Sequence, residues 1–304
     1  MTIPRYPRNP HAPITVYSPG VAAFKRQQII QWLSLTPKLE QGLKNKTIMK
    51  IAELNFVPKD FAVLLWSTKG VMPCVTKIFS EAYQYINEPT MDVNTFQLLM
   101  ETLTILEWIA LDNRTKKSLM ATTVLTSVYP FLLTNFDLPF YCYIKNRILT
   151  MFNLLLMMPF NVVINFLLET EFIYIIIFNM VLFKRETSAI TVSIMEKILR
   201  HPKSLIFVCA SEEPLAIVVD ALNITLEGMA LNFPDFYEEI GRMPLHNIIM
   251  CFTLISTNSR GKSFLKDHFP ETFSAFTFQL YLMESPVTRN LLVILLDNLI
   301  PPTI

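Results

Sequence analysis

Three segments of this chain echo one another, and the echo limits the fold more than any other feature. EWIALDNRTKKSLM from Glu107, MEKILRHPKSLIFV from Met195 and CFTLISTNSRGKSFL from Cys251 follow one plan. Each ends an apolar helical stretch, makes a polar turn, then runs Lys-Ser-hydrophobic: Lys117-Ser118-Leu119, Lys203-Ser204-Leu205 and Lys262-Ser263-Phe264. The first two lysines are 86 residues apart, which is two units of 43, and the next interval is 59. A longer insertion is therefore expected between Glu213 and Pro244. A chain that repeats at this period builds units that bury their apolar faces only against their neighbours.

The units are helical. Phe96, Leu99, Met100, Leu103, Leu106 and Ala110 fall at spacings of three and four, which puts all six on one helical stripe. Ile190, Ile194 and Ile198, joined by Met195 and Leu199, repeat the pattern. No stretch alternates with period two between turn signals. Only 6 glycines are present in 304 residues, too few for a hairpin-rich β fold or a glycine-rich nucleotide loop, while 20 prolines supply stops between short helices. A unit of about 43 residues is the length of a three-helix armadillo or HEAT repeat. The sequence thus predicts an all-α, right-handed α-solenoid of about six armadillo-type repeats. It spans residues 23–300, after a flexible Pro-rich arm at 1–22 and before a tail at 301–304.

A membrane reading has to be weighed. No charge occurs from Ile148 to Leu168, a length that could span a bilayer, and a second uncharged run covers Phe172 to Phe183. Pro159 with Asn161 breaks the first run, and Glu169 with Glu171 separates the two. Three helices buried inside a repeat stack account for the same residues, so no membrane partner is expected. The N-terminus lacks the apolar run of a signal peptide. The three sequons at Asn45, Asn113 and Asn223 therefore carry no weight. Cys74, Cys142, Cys209 and Cys251 are far apart and read as buried thiols of a reducing compartment.

Signs of chemistry are missing. Gly261-Lys262-Ser263 is similar to the end of a phosphate-binding loop, but the glycine required five residues earlier is Ser256. His11, His201, His246 and His268 have no Cys, His or carboxylate at metal-ligand spacing. His201 and His268 fall near helix ends, where a cap is the ordinary role. Glu212-Glu213 and Glu238-Glu239 read as solvated faces. The formal net charge of +1 carries no general nucleic-acid signature. No catalytic residue, cofactor, metal or small-molecule substrate is expected.

The stretch FAVLLWSTKG, Phe61 to Gly70, resembles the L-A-P-M-L-W-H-S-F-G signature of the "required for cell differentiation" (Rcd-one-like) family. Other blocks agree in order. They are Gln31-Trp32, then Tyr83 through Ile86-Asn87 to Pro89-Thr90, Tyr129-Pro130-Phe131-Leu132, and Pro139-Phe140 with Tyr143. Val163-Ile164-Asn165-Phe166-Leu167-Leu168, Lys197-Ile198-Leu199 and Cys209 follow. Together they cover about residues 24–300.

The resemblance implies a non-catalytic adaptor subunit of the CCR–NOT complex, which acts in mRNA deadenylation and translational repression. Implied partners are the large NOT scaffold subunit, short helical peptides of RNA-binding regulators, Trp-containing silencing proteins and, weakly, nucleic acid. The implied location is the cytoplasm, with the nucleus also open. Scaffold contacts would fall at Trp66, Ser67, Lys69, Gly70 and Pro73. A concave peptide site would include Tyr143, Lys145 and Ile190. Pockets for Trp side chains would need an aromatic and an arginine where this chain has Glu212 and Pro214, so these pockets are expected to be degraded. Ser67 and Lys69 replace the family's His and Phe, which predicts a weakened or re-specified scaffold contact. Each assignment has a plain alternative. Trp66 and Ile190 could be core, Gly70 a helix cap, and Lys145, Arg147, Lys184 and Arg185 solvated charges. Two other functions stay open: a stand-alone armadillo peptide-binding module, and a nucleic-acid-binding armadillo protein.

Overall fold

The computed structural model describes residues 60–88, 90–157, 161–182, 185–232, 243–273 and 278–299, with 27, 28, 30, 31 and 50. The arm at 1–22, the tail at 301–304, Trp32, Pro89, Pro159 and Lys184 lie outside them. Among the described residues all regular structure is helical. The chain divides into two compact units, the first ending at Leu154 and the second starting at Leu155.

In the first unit, α1 (Phe61–Ser67) and α2 (Val71–Ala82) precede the long α3 (Val93–Leu111). The short α4 (Asn113–Met120), the single turn α5 (Tyr129–Leu132) and the long α6 (Pro139–Leu155) follow. The stripe Phe96, Leu99, Met100, Leu103, Leu106 and Ala110 is buried, as its spacing predicts. Edge-on packing of Phe61 against Trp108, with ring centroids 5.0 Å apart, fixes α1 on α3. Phe96 stacks on Phe140 at 4.3 Å, so α3 and α6 meet side by side. Fully burying a ring such as Phe61 is worth about 1.5–3 kcal/mol.

The second unit holds α7 (Asn161–Glu169), α8 (Phe172–Val181), α9 (Arg185–Leu199) and α10 (Pro202–Val208). It continues with α11 (Glu212–Leu231), α12 (Met243–Ser256), α13 (Ser259–Asp267), α14 (Gln279–Glu284) and α15 (Pro286–Leu299). Like helices pack on like: α9 on α12, α12 on α15, α8 on α11, and α7 on α10. The polar side of α10 is tied to α7 by a hydrogen bond from Lys203 Nζ to Asn165 Oδ1 and by a 2.8 Å contact between His201 Nε2 and Asn161 Oδ1.

A helix triplet therefore recurs, closed each time by a helix of 14 to 19 residues. The long helices begin at Val93, Pro139, Arg185, Met243 and Pro286, so the start-to-start intervals are 46, 46, 58 and 43 residues. The longest interval contains the 20-residue α11, twice the length of its counterpart α8, and overlaps the insertion expected between Glu213 and Pro244. The echo itself needs a correction of register. The turn before each short helix is set by an N-cap side chain: Asp112, His201 and Asn258 accept backbone N–H bonds from Arg114, Lys203, and Arg260 with Gly261. The Lys-Ser pair begins five, two and four residues after these caps. The motifs mark the same element but not the same turn of it.

Gly261 explains its own presence. It is buried in α13, and a β-carbon there would lie 2.3 Å from the Ile255 carbonyl oxygen of α12. The glycine permits close helix approach and has nothing to do with phosphate.

The uncharged stretch breaks as expected. The α6 helix ends at Leu155, α7 starts at Asn161, and α8 turns away from α7 by 74° after Glu171, a left-handed residue with φ 59°. Among the described helices only α11 alone is long and apolar enough to cross a membrane, and 44% of its apolar window is buried in the protein.

Candidate binding surfaces

The turn between α1 and α2 gathers five residues singled out by sequence. Phe61, Ala62 and Leu65 point α1 into the core, which leaves Trp66 half-buried and Ser67 exposed at its end. Thr68 closes the helix with its N–H on the Leu64 carbonyl, 3.1 Å away. Gly70 then takes φ 94°, a conformation that a side chain would strain, and stands at the N-cap of α2. Pro73 is in the first turn of α2, where its missing N–H is no loss. Val71, Cys74, Val75, Ile78 and Phe79 face inward. Ser67, Lys69 and Pro73 are thus exposed together on one fixed turn.

The concave-site residues fall on both units. Tyr143 is half-buried on α6 and Ile190 half-buried on α9, one in each unit. Lys145 is buried, with its ammonium donating to the Thr134 carbonyl. That ammonium is engaged inside the first unit and is not the solvated or phosphate-facing group that sequence weighed. Arg147 also is largely buried, bonding Glu107 at 2.7 Å and the Thr104 hydroxyl at 2.9 Å. Burial pushes the Glu107 carboxyl up to about 7, with Arg147 opposing. Glu107 Oε1 and Arg147 Nε are buried without a hydrogen-bond partner. Sequence reasoning missed this pair, since 40 residues separate its members and Glu107 lies within an apolar helix.

Glu212 is exposed at the start of α11 and Pro214 half-buried. Glu212 lines a cleft of about 540 Å³ shared with Leu215, Arg260, Phe264, Asp267 and His268, whereas Pro214 is not among its lining residues. An aromatic face survives there by another route. Phe264 and His268, one helical turn apart, stack with centroids 4.0 Å apart and planes 5° from parallel. The His268 Nδ1–H donates to the Phe264 carbonyl at 3.0 Å. Arg260 Nη1 donates to the Cys209 carbonyl at 3.3 Å and forms one wall. The spacing Phe264-x-x-x-His268 was the available signal for the platform, but nothing local ties it to Glu212.

The histidine and cysteine readings can be placed as well. His201 caps α10 and His268 ends α13. Cys74, Cys209 and Cys251 are buried, while Cys142 is only half-buried. Burial raises the Cys209 thiol to about 11 and the Cys251 thiol well above its ordinary value. Among the described residues no three His, Cys, Asp or Glu side chains group as a metal site.

Fold and surfaces together define an all-helical protein of recurring helix triplets whose distinctive residues sit on exposed turns and in an open cleft. The chain belongs to the Rcd1-like cell differentiation family, whose sequence model matches residues 35–299. It is 27% identical over 277 residues to the "Cell differentiation protein rcd1" of Schizosaccharomyces pombe, covering 91% of this chain and 93% of that one. It is 24% identical over 283 residues to "Protein CAF40" of Saccharomyces cerevisiae, covering 92% of this chain and 73% of that one.

Proposed function

We propose that this chain is a non-catalytic adaptor subunit of the CCR–NOT complex, or a divergent paralogue of one, acting in mRNA deadenylation and translational repression. Its triplets form a right-handed armadillo-type solenoid of about six repeats. Membership of the Rcd1-like family supports this reading, as does the side-by-side packing of like helices. The observation that carries it is the α1–α2 turn. Ser67, Lys69 and Pro73 are exposed there in the stretch that resembles the family signature, held by Gly70 and backed by Trp66. The NOT scaffold docks on this turn. Tyr143 and Ile190 each offer a contact for regulatory peptides. With that reading goes a cytoplasmic location, with the nucleus also open.

A pull-down of the full chain with the middle region of the NOT scaffold tests the proposal. Binding is expected, weakened by Lys69→Glu and strengthened by Ser67→His with Lys69→Phe. No binding by the wild type at micromolar concentrations sinks the complex-subunit reading.

A second reading is favoured by the same exposed Ser67 and Lys69, which present a hydroxyl and an ammonium where the family has an imidazole and a phenyl ring. In that reading the chain is a stand-alone armadillo module that binds peptides and no longer joins the complex. Peptide capture in the absence of scaffold binding distinguishes it, and an Ile190→Glu change that leaves every partner bound removes Ile190 from the peptide site.

A further inference from the structure

The outward face of α11 has the pattern of a docking surface. Glu213, Ile217, Asp220, Ile224, Glu227 and Leu231 follow one another at spacings of four and three, the single stripe that a straight partner helix can follow. The stripe alternates carboxylate and aliphatic. Its three acids are exposed, and so are Ile224 at 42% and Leu231 at 86%. Ile224 and Leu231 thus leave apolar area in water on the same row that carries the acids.

Charge decides what fits. The 20 residues of α11 include four carboxylates, Glu212 being the fourth, and no Lys, Arg or His. None of the four makes an ion pair with a described residue. The helix packed alongside, α8, is uncharged and exposes Tyr174 at 49% and Val181 at 37%. The outward row of α11 therefore combines exposed aliphatic side chains with charge of one sign.

We propose that this face docks a basic amphipathic helix of a partner protein. Lys or Arg side chains of that helix would pair with Glu213, Asp220 and Glu227, and its aliphatic residues would fill the gaps around Ile217, Ile224 and Leu231. From Glu213 to Leu231 the stripe runs roughly 27 Å, which matches a partner helix of about 18 residues. The surface is on a different element from the α1–α2 turn, so it stands or falls independently of scaffold binding.

The test uses the full chain and a fluorescein-labelled, amphipathic Lys/Leu peptide of about 18 residues. Controls are a scrambled peptide of the same composition and a Glu/Leu peptide with the same apolar face. Anisotropy should show the Lys/Leu peptide binding and weakening with salt, and Asp220→Lys with Glu227→Lys should reduce affinity about tenfold or more. Circular dichroism checks that the double variant is folded. The Glu/Leu peptide should bind the double variant better than it binds the wild type, a gain that loss of structure cannot produce. Equal binding of the scrambled peptide, or equal binding by the double variant, overturns the proposal. So does a wild type that ignores the peptide but floats with zwitterionic vesicles, or that self-associates through Ile224, because the occupant is then lipid or a second copy.

Discussion

Glu107 makes the stability of this protein fall as pH rises through a window where most proteins change little. Its carboxyl is buried between α3 and α6, beside Arg147 at 2.7 Å. Burial holds it at about 7 in the folded chain, against an ordinary 4.5. Between those values the folded chain keeps a proton that the unfolded chain has released. The folded state is then favoured by acid, and stability declines with rising pH until Glu107 is ionised. About 1.4 kcal/mol per pH unit over that window amounts to about 3 kcal/mol. Glu107→Gln retains the shape and removes the titration. Paired urea unfolding curves from about pH 5 to about pH 8, followed by circular dichroism, isolate the effect, because every other group titrates alike in both chains. The variant should gain on the wild type by about 3 kcal/mol from the acid end to the alkaline end. A difference that stays flat with pH would mean that Glu107 titrates normally, and would refute the buried-pair argument.

Other perturbations probe packing and backbone. Gly261→Ala drives a methyl group into the Ile255 carbonyl oxygen and should cost about 1–3 kcal/mol or more, read from the urea midpoint. Glu171→Gly relieves the left-handed residue before α8 and should stabilise by about 1 kcal/mol at most, since a strain of about 1–2 kcal/mol is partly offset by glycine's extra unfolded freedom; a drop in melting temperature would contradict it. Tyr141→Phe removes a hydroxyl that lies 2.7 Å from the Tyr85 carbonyl oxygen and should cost about 1 kcal/mol. Unchanged stability would show that water replaces that bond.

The residues differ in how far their sequence neighbourhood revealed them. The stripe Phe96 to Ala110 and the run Ile194, Met195, Ile198, Leu199 were legible because burial on a helix imposes a period that neighbours share. Ile190, one turn earlier on the same stripe, is only half-buried, although Thr187, Ser188 and Thr191 around it are buried. The α1–α2 turn was legible too, since Gly70 and Pro73 are local conformational constraints and their flanks follow from helix geometry. Lys145 was not: its burial depends on the Thr134 carbonyl, eleven residues away and on the far side of a turn.

The sequence by itself determined that this chain is all-helical, that its helical units recur at roughly 43 residues with a longer stretch between Glu213 and Pro244, and which family it joins. Each of these follows from local propensity, period or colinear blocks. Tertiary structure alone decided which polar groups are engaged. It paired Glu107 with Arg147, assembled the Glu212 cleft from α11 and α13, and left the acids of α11 facing outward beside exposed aliphatic side chains. Those outcomes depend on contacts between residues distant in the chain, and on which face of each helix its neighbours leave uncovered.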